Sequence, residues 1–314
     1  MSSPATAPPA VRTSGLTRRF GAVLAVDGVD LTVERGAVFG LLGPDGAGKS
    51  TLLRLLATVL RPSAGEAQVF GHSTEREAQE ITGRIGYMSQ RFAMYPDLTV
   101  AENLDFFATV RGVPKTQRAT RATALLEGMG LGEFRGRQAR HLSGGMKQKL
   151  MLATTLMHEP DLLLLDEPTT GVDPVSRREF WRVLAGLHRA GTTVLVATPY
   201  MDEAERCTSI AFLDGGRIRQ TGTPAEVAAL VPGTLVEVVC PDPRAAVAAL
   251  ADLPEAGSPH VLGDVVRVLW RGPAADAEGA LAAHLAAAGM PSAQVRAARV
   301  DMETAFAVLA EAGR

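Results

Sequence analysis

The segment Gly43-Pro44-Asp45-Gly46-Ala47-Gly48-Lys49-Ser50-Thr51 constrains this chain more than any other. It follows the apolar run Val38 to Leu42, which reads as a strand, and precedes the helical pattern Leu52 to Leu56. A glycine-rich loop in that setting lets the backbone curl, so that successive N–H groups point at one place where the positive end of the helix adds to them. Lys49 brings a point charge for outer phosphates, and the Ser50 hydroxyl is placed to ligate Mg²⁺. All of these positions, Gly43 to Thr51, are therefore candidate contacts to a bound polyphosphate.

A second run, Leu162 to Leu165, is a purely apolar strand that ends abruptly in Asp166 and Glu167. In an open α/β sheet the carboxyl ends of the strands face the ligand. Asp166 is then a candidate Mg²⁺ ligand, directly or through water. Glu167 is the candidate to orient and deprotonate a water attacking a terminal phosphate, since phosphoryl transfer depends on positioning and charge neutralisation. Together the two segments define a P-loop ATPase or GTPase.

Three further segments narrow that choice. His141-Leu142-Ser143-Gly144-Gly145-Met146 is another glycine-rich helix start, Gln90 follows Ile85-Gly86-Tyr87-Met88-Ser89, and Gly171-Val172-Asp173-Pro174 follows Glu167-Pro168-Thr169-Thr170. In this order and company they resemble the ABC ATPases, whose signature has the form LSGGQ, here with Met146 in the last position. The resemblance implies an ATP-hydrolysing subunit with ATP and Mg²⁺ as cofactors. It implies that Ser143, Gly144 and Gly145 act in trans across a dimer of ATPase subunits, with a homodimer expected. It also implies that Asp173 communicates across that dimer, and that Gln90 senses the metal near the docking site of a separate transmembrane permease. Phe20, in Arg18-Arg19-Phe20-Gly21, matches the aromatic that stacks on adenine. One position departs: where most of the family has a histidine after the last core strand, this chain has Pro199, which offers neither a ring proton nor a backbone N–H. Thr198 is expected to cap a helix beginning at Pro199. The stretch Tyr200-Met201-Asp202-Glu203-Ala204-Glu205 is similar to the drug-exporter branch, implying export of drugs or other small hydrophobic molecules.

Composition fits such a motor. The chain has 314 residues, 46% of them hydrophobic and 21% charged, and a net charge of −2 provides no overall basic field, so nucleic acid is not an expected partner. The two cysteines, Cys207 and Cys240, lack CxxC spacing, which argues against a zinc site or disulfide scaffold and for the cytoplasm. The apolar runs fall far below the ~20 residues that cross a bilayer, so attachment to the cytoplasmic face of the cell membrane is expected only through the permease. ABC ATPases of DNA repair or translation usually carry long coiled-coil insertions or two ATPase units, and neither is visible.

The texture of the chain predicts a flexible tail over residues 1–10 and an α/β ATPase domain over 11–230, with a helical subdomain at about 91–158. A small α+β domain over 231–314 is expected to follow. Short apolar strands at Ala37–Leu42, Ile85–Met88, Leu162–Leu165 and Thr193–Ala197 alternate with helices in the first domain. The second reads βαββαβ, with a hairpin at Gly263-Asp264 and a closing amphipathic helix carrying Met302, Phe306 and Leu309, which suggests a ferredoxin-like appendage.

Overall fold

The computed structural model describes residues 7–312. The chain divides into two compact units that meet in sequence at Pro224/Ala225, some residues before the boundary expected at 230/231.

In the first unit the elements run β1 (Val11–Phe20), β2 (Val23–Val33), β3 (Val38–Leu42), α1 (Lys49–Leu56), β4 (Ala64–Val69), β5 (His72–Ser73), α2 (Ala78–Thr82) and β6 (Ile85–Met88). They continue with α3 (Val100–Val110), α4 (Lys115–Gly128), α5 (Gly144–Leu156), β7 (Leu162–Asp166), α6 (Pro174–Arg189), β8 (Thr193–Thr198), β9 (Ser209–Asp214) and β10 (Arg217–Gly222). A six-stranded sheet has the order β10-β9-β3-β8-β7-β6, parallel except for the β9–β10 hairpin. Strands β3, β7 and β8 are buried along their whole length because both faces are covered, which is why they read as continuous apolar runs rather than alternating ones. A separate antiparallel sheet, β2-β1-β4-β5, supplies the other wall of the core. Leu52, Leu53, Leu55 and Leu56 of α1 join Val11, Leu16 and Val26 from that wall and Leu164 and Leu195 from the parallel sheet in a single core cluster. The packed chain also reaches back before residue 11: Ala10 is fully buried and its carbonyl accepts from Phe70 N–H. Residues 1–6 of the expected tail lie outside the described residues.

Register positions the site. Leu42 of β3 lies level with Thr198 of β8, Asp166 of β7 with Ala197, and Met88 of β6 with Leu165. The carboxyl ends of four parallel strands are therefore nearly flush, and Gln90, two residues past Met88, emerges beside Glu167, two past Leu165.

Between β6 and β7 lie α3, α4 and α5. Thr99 and Glu102 form a reciprocal capping box at the start of α3. Fully buried Asn103 accepts from Tyr95 N–H and donates to the carbonyls of Tyr95, Leu98 and Thr99, which fixes the loop leading into the helix.

The second unit begins inside α7 (Pro224–Ala229) and contains β11 (Thr234–Val239), α8 (Pro243–Ala251), β12 (His260–Leu262), β13 (Val265–Trp270), α9 (Ala277–Ala287), β14 (Gln294–Ala297) and α10 (Met302–Ala312). Its sheet is antiparallel throughout, in the order β12-β13-β11-β14, the arrangement of a ferredoxin-like βαββαβ unit. Val236, Val238, Val266, Val268 and Trp270 face α8 and α9, where Leu250, Leu281 and Leu285 complete the core. No helix among the described residues is long and apolar enough to cross a membrane.

Candidate nucleotide site

The loop between β3 and α1 is held from both sides. A Cβ at Gly43 would lie 2.1 Å from the Leu213 carbonyl oxygen of β9, and one at Gly48 would lie 2.2 Å from that of Ala25 in β2. Only glycine fits these two positions, and Gly48 also needs φ = 107° to turn the chain into α1. No side chain caps α1 at its start, so its first-turn amides are left to an anion.

Lys49 is 3% exposed, and its Nζ donates to the carbonyls of Gly43 (2.9 Å) and Pro44 (3.0 Å). Glu167 Oε1 stands 3.5 Å from the same nitrogen. The other Glu167 oxygen accepts from Gln90 Nε2 at 2.8 Å and from Thr170 Oγ1 at 3.3 Å. Glu167 itself sits at φ = 49°, outside the ordinary range for a non-glycine residue. Strain of this kind costs on the order of 1–3 kcal/mol and persists only where the surroundings impose it. Here the bond from Glu167 N–H to the Ala197 carbonyl (2.9 Å) and the following Pro168 impose it, and the result turns the carboxylate back toward Lys49.

Ser50 Oγ donates to Asp166 Oδ1 at 2.8 Å, while Asp166 Oδ2 is buried without a hydrogen-bond partner among the described residues. Burial, and less so the neighbouring Glu167, pushes the Asp166 carboxyl above the usual range, although Ser50, Arg54 and Lys49 pull the other way. A buried acid with one unused oxygen next to a serine hydroxyl fits a divalent cation delivered with a nucleotide. The described residues include no cluster of three or more His, Cys, Asp or Glu that would hold a metal without one.

Structure thus brings Lys49, Ser50, Gln90, Asp166 and Glu167 into one connected cluster. It leaves Ser143, Gly144 and Gly145 elsewhere: Ser143 caps α5, accepting from Met146 N–H at 3.3 Å, and this helix start packs on the start of α6. A Cβ at Gly145 would lie 2.6 Å from Ser176 Oγ, so glycine is required there by helix packing as well as by any ligand. Asp173 caps α6 through the amides of Ser176 (2.9 Å) and Val175 (3.0 Å), which hold its carboxyl below the usual range. Phe20 is 43% exposed at the end of β1, with the Arg18 guanidinium 4.6 Å from its ring centre.

The expectation for Thr198 and Pro199 is corrected. No helix begins at Pro199: a 3₁₀ turn spans Met201–Arg206, preceded by Tyr200. The Thr198 hydroxyl instead accepts from Tyr200 N–H at 3.1 Å, closing a local turn that competes with a helical cap. Nothing in the sequence marks Thr170 for a role on the Glu167 carboxylate, and Glu203 is marked only as part of Tyr200 to Glu205, because their contacts come from residues distant along the chain or from the local turn.

Residues 26–170 match the family model described as ABC transporter. The chain is 39% identical over 301 residues to the daunorubicin resistance ATP-binding protein DrrA3 of Streptomyces coeruleorubidus, covering 95% of this chain and 94% of that protein. It is 45% identical over 219 residues to the daunorubicin/doxorubicin resistance ATP-binding protein DrrA of Streptomyces peucetius, covering 69% of this chain and 66% of that one. With the probable multidrug ABC transporter ATP-binding protein YbhF of Escherichia coli the identity is 41%, over 82% of this chain but only 45% of that protein. Among solved structures, a dimeric ATP-binding cassette in a post-hydrolysis state bound to ADP and Pi superimposes with a TM-score of 0.63 at 26% identity, covering 68% of this chain and 98% of that one. The fold and the cluster define a P-loop ATPase of the ABC type. The chain belongs to the family of ABC transporter ATP-binding proteins.

Because burial raises the Asp166 pKa, its contribution to stability is fully present below the ordinary value of 3.8 and is lost as pH rises through the raised value. Burying Asp166 therefore costs the nucleotide-free protein stability as pH rises from 3.8 toward neutrality. Asp166→Asn should raise the melting temperature of the nucleotide-free protein at pH 7, by the equivalent of about 1 kcal/mol or more. The difference should shrink in acid, and hydrolysis should be lost. A lower melting temperature at neutral pH would show that the carboxylate is compensated without a cation.

Proposed function

We propose that this chain binds MgATP at the Gly43–Thr51 loop and hydrolyses it between two copies, driving a separate membrane permease. The observation that carries the reading is the buried Lys49–Glu167–Gln90 cluster. Lys49 and Glu167 neutralise each other at 3.5 Å, so an incoming phosphate can displace Glu167 from Lys49 without leaving a bare charge. The released carboxylate, still held by Gln90 and Thr170, is then placed to take a proton from an attacking water. Ser50, Asp166 and the amide oxygen of Gln90 would hold the Mg²⁺, which supplies charge neutralisation for the phosphates. Lys49, the loop amides of Gly43 and of Asp45 to Gly48 and the Thr51 amide hold the phosphates themselves, and Phe20 offers an exposed ring for the adenine.

A second copy is invoked because Ser143 to Gly145 belong to the α5–α6 contact and not to the Lys49 cluster, so one chain supplies two half-sites. The capped, acidic Asp173 lies beside that signature and is the group to sense the opposing site. For the permease, support comes from Tyr95, Phe106 and Val110, which are 48%, 38% and 65% exposed beside the loop that follows Gln90. The Tyr95, Phe106 and Phe107 rings pack edge to face, Tyr95 and Phe106 at 4.7 Å and Phe106 and Phe107 at 5.3 Å, making a rigid apolar platform suited to a helix of a membrane partner. Such a complex would sit at the cytoplasmic face of the cell membrane. The relatives named for daunorubicin and multidrug resistance make export of drugs or similar small hydrophobic molecules the reading for its cargo.

Glu167→Gln keeps the shape of the side chain and loses the base. This variant should bind ATP, fall by at least about 10²-fold in turnover, and accumulate as an ATP-loaded dimer in gel filtration; undiminished turnover would remove Glu167 from its role. Pro199 is not needed to start a helix, so replacing it costs little stability. Pro199→His should therefore fold normally and speed the single-turnover chemical step by about tenfold, by adding a donor for the terminal phosphate. An unchanged rate in the folded variant would mean that this chain already compensates for the missing donor.

A further inference from the structure

Behind the Glu167 loop lies a second acid that no step above uses. Glu203 is fully buried in the 3₁₀ turn Met201–Arg206. Its Oε1 accepts from Thr169 Oγ1 at 2.5 Å, and Thr169 is itself only 1% exposed, two residues after Glu167. From the other side Arg177, one turn into α6, brings its Nε to 4.0 Å from the same oxygen. The Arg177 guanidinium also stacks on Tyr200 at 4.2 Å and lies 3.8 Å from Asp202.

Two atoms in this arrangement are unsatisfied. Arg177 Nε and Glu203 Oε2 are both buried without a hydrogen-bond partner among the described residues. Leaving a buried donor and a buried acceptor open on facing, oppositely charged side chains is costly, and a small shift of α6 toward the turn would satisfy the donor. The turn itself is fixed to the sheet: Cys207 Sγ donates to the Glu203 carbonyl at 3.5 Å and lies over Gly40 of β3, where a Cβ would come within 2.9 Å of it. Burial, and then Glu203, push that thiol up to about 12, so it stays protonated and inert. Glu203 is thus an immobile post, with the catalytic loop tied to one side and α6 poised at the other.

We infer that Glu203 is a positioning residue for hydrolysis: held between Thr169 and Arg177, it keeps the loop that carries Glu167 in a fixed relation to the start of α6, which carries Asp173. A side chain that merely fills space would affect folding; one that positions Glu167 affects the chemical step at constant nucleotide affinity.

The inference rests on the proposed role of Glu167, and the test separates the two. Full-length Glu203→Gln, Thr169→Val, the double variant and Thr169→Ser are compared with the parent for equilibrium ATP binding and for single-turnover hydrolysis, with Glu167→Gln alongside. Melting curves select the folded variants. Glu203→Gln and Thr169→Val should each slow the chemical step by about tenfold while ATP affinity stays within about twofold of the parent. The double variant should be no slower than the slower single one, because Thr169→Val cuts the Thr169 joint and Glu203→Gln the Arg177 joint of one Thr169–Glu203–Arg177 chain, and Thr169→Ser should restore the rate by restoring the hydroxyl. An unchanged chemical step in folded Thr169→Val overturns the inference, as do additive losses or a fall in affinity that accounts for the loss of turnover. Should Glu203→Gln fail to fold, Thr169→Val and its serine counterpart decide alone. Normal turnover by Glu167→Gln would instead remove the general base, and the inference would fall with it.

Discussion

The flush carboxyl ends of β3, β8, β7 and β6 determine almost everything else about the first unit. Parallel pairing fixes Leu42 beside Thr198, Asp166 beside Ala197 and Met88 beside Leu165. The next residues out of each strand must then share a small region: the loop of Gly43 to Gly48 from β3, Glu167 from β7, Gln90 from β6 and the Pro199 turn from β8. Slipping any one strand by a residue would carry the loop it feeds about 3.3 Å along the sheet and out of that region.

Charge is handled inside this frame with little waste. Lys49 and Glu167, both buried, neutralise each other, while Asp166 beside them keeps an unused oxygen. In the nucleotide-free chain the Lys49–Glu167 pair is thus balanced, while Asp166 is held at a cost. The same economy appears at the helix starts. Ser143 and Asp173 are both caps, and both belong to the signature and dimer segments, so these residues contribute to folding whether or not a second copy is present.

Much of this was legible in the sequence because its parts are local. A glycine-rich loop after an apolar strand, two acids closing another, and Ser143 ahead of two glycines each carry their own backbone logic. The βαββαβ order of the second unit could be read from turn chemistry such as Gly263-Asp264, and its sheet order follows from it. What could not be read depends on distant pairing. The antiparallel sheet of β1, β2, β4 and β5 has short, irregular alternation interrupted by bulges, so its strands send no strong periodic signal. Thr and Pro placement predicts a helix at Thr198-Pro199, but the Thr198 hydroxyl closes a turn on Tyr200 and the chain enters a 3₁₀ turn at Met201. Glu203 stands in the sequence as one of several acids in Tyr200 to Glu205; only Thr169 after β7 and Arg177 of α6, both distant along the chain, make it a buried post.

The central claim is that the working site is shared, with the Lys49 cluster of one chain facing the Ser143 helix start of another. Mixing two inactive variants tests it most directly. A chain with Lys49→Ala retains a sound signature, and a chain with Ser143→Arg retains a sound phosphate loop, so each alone should fail to hydrolyse ATP while their mixed dimer contains one complete site. The account predicts that single-turnover hydrolysis reappears on mixing the two purified proteins. A mixture as inactive as its components, or parental hydrolysis by the Ser143→Arg chain on its own, would contradict a site built from two copies.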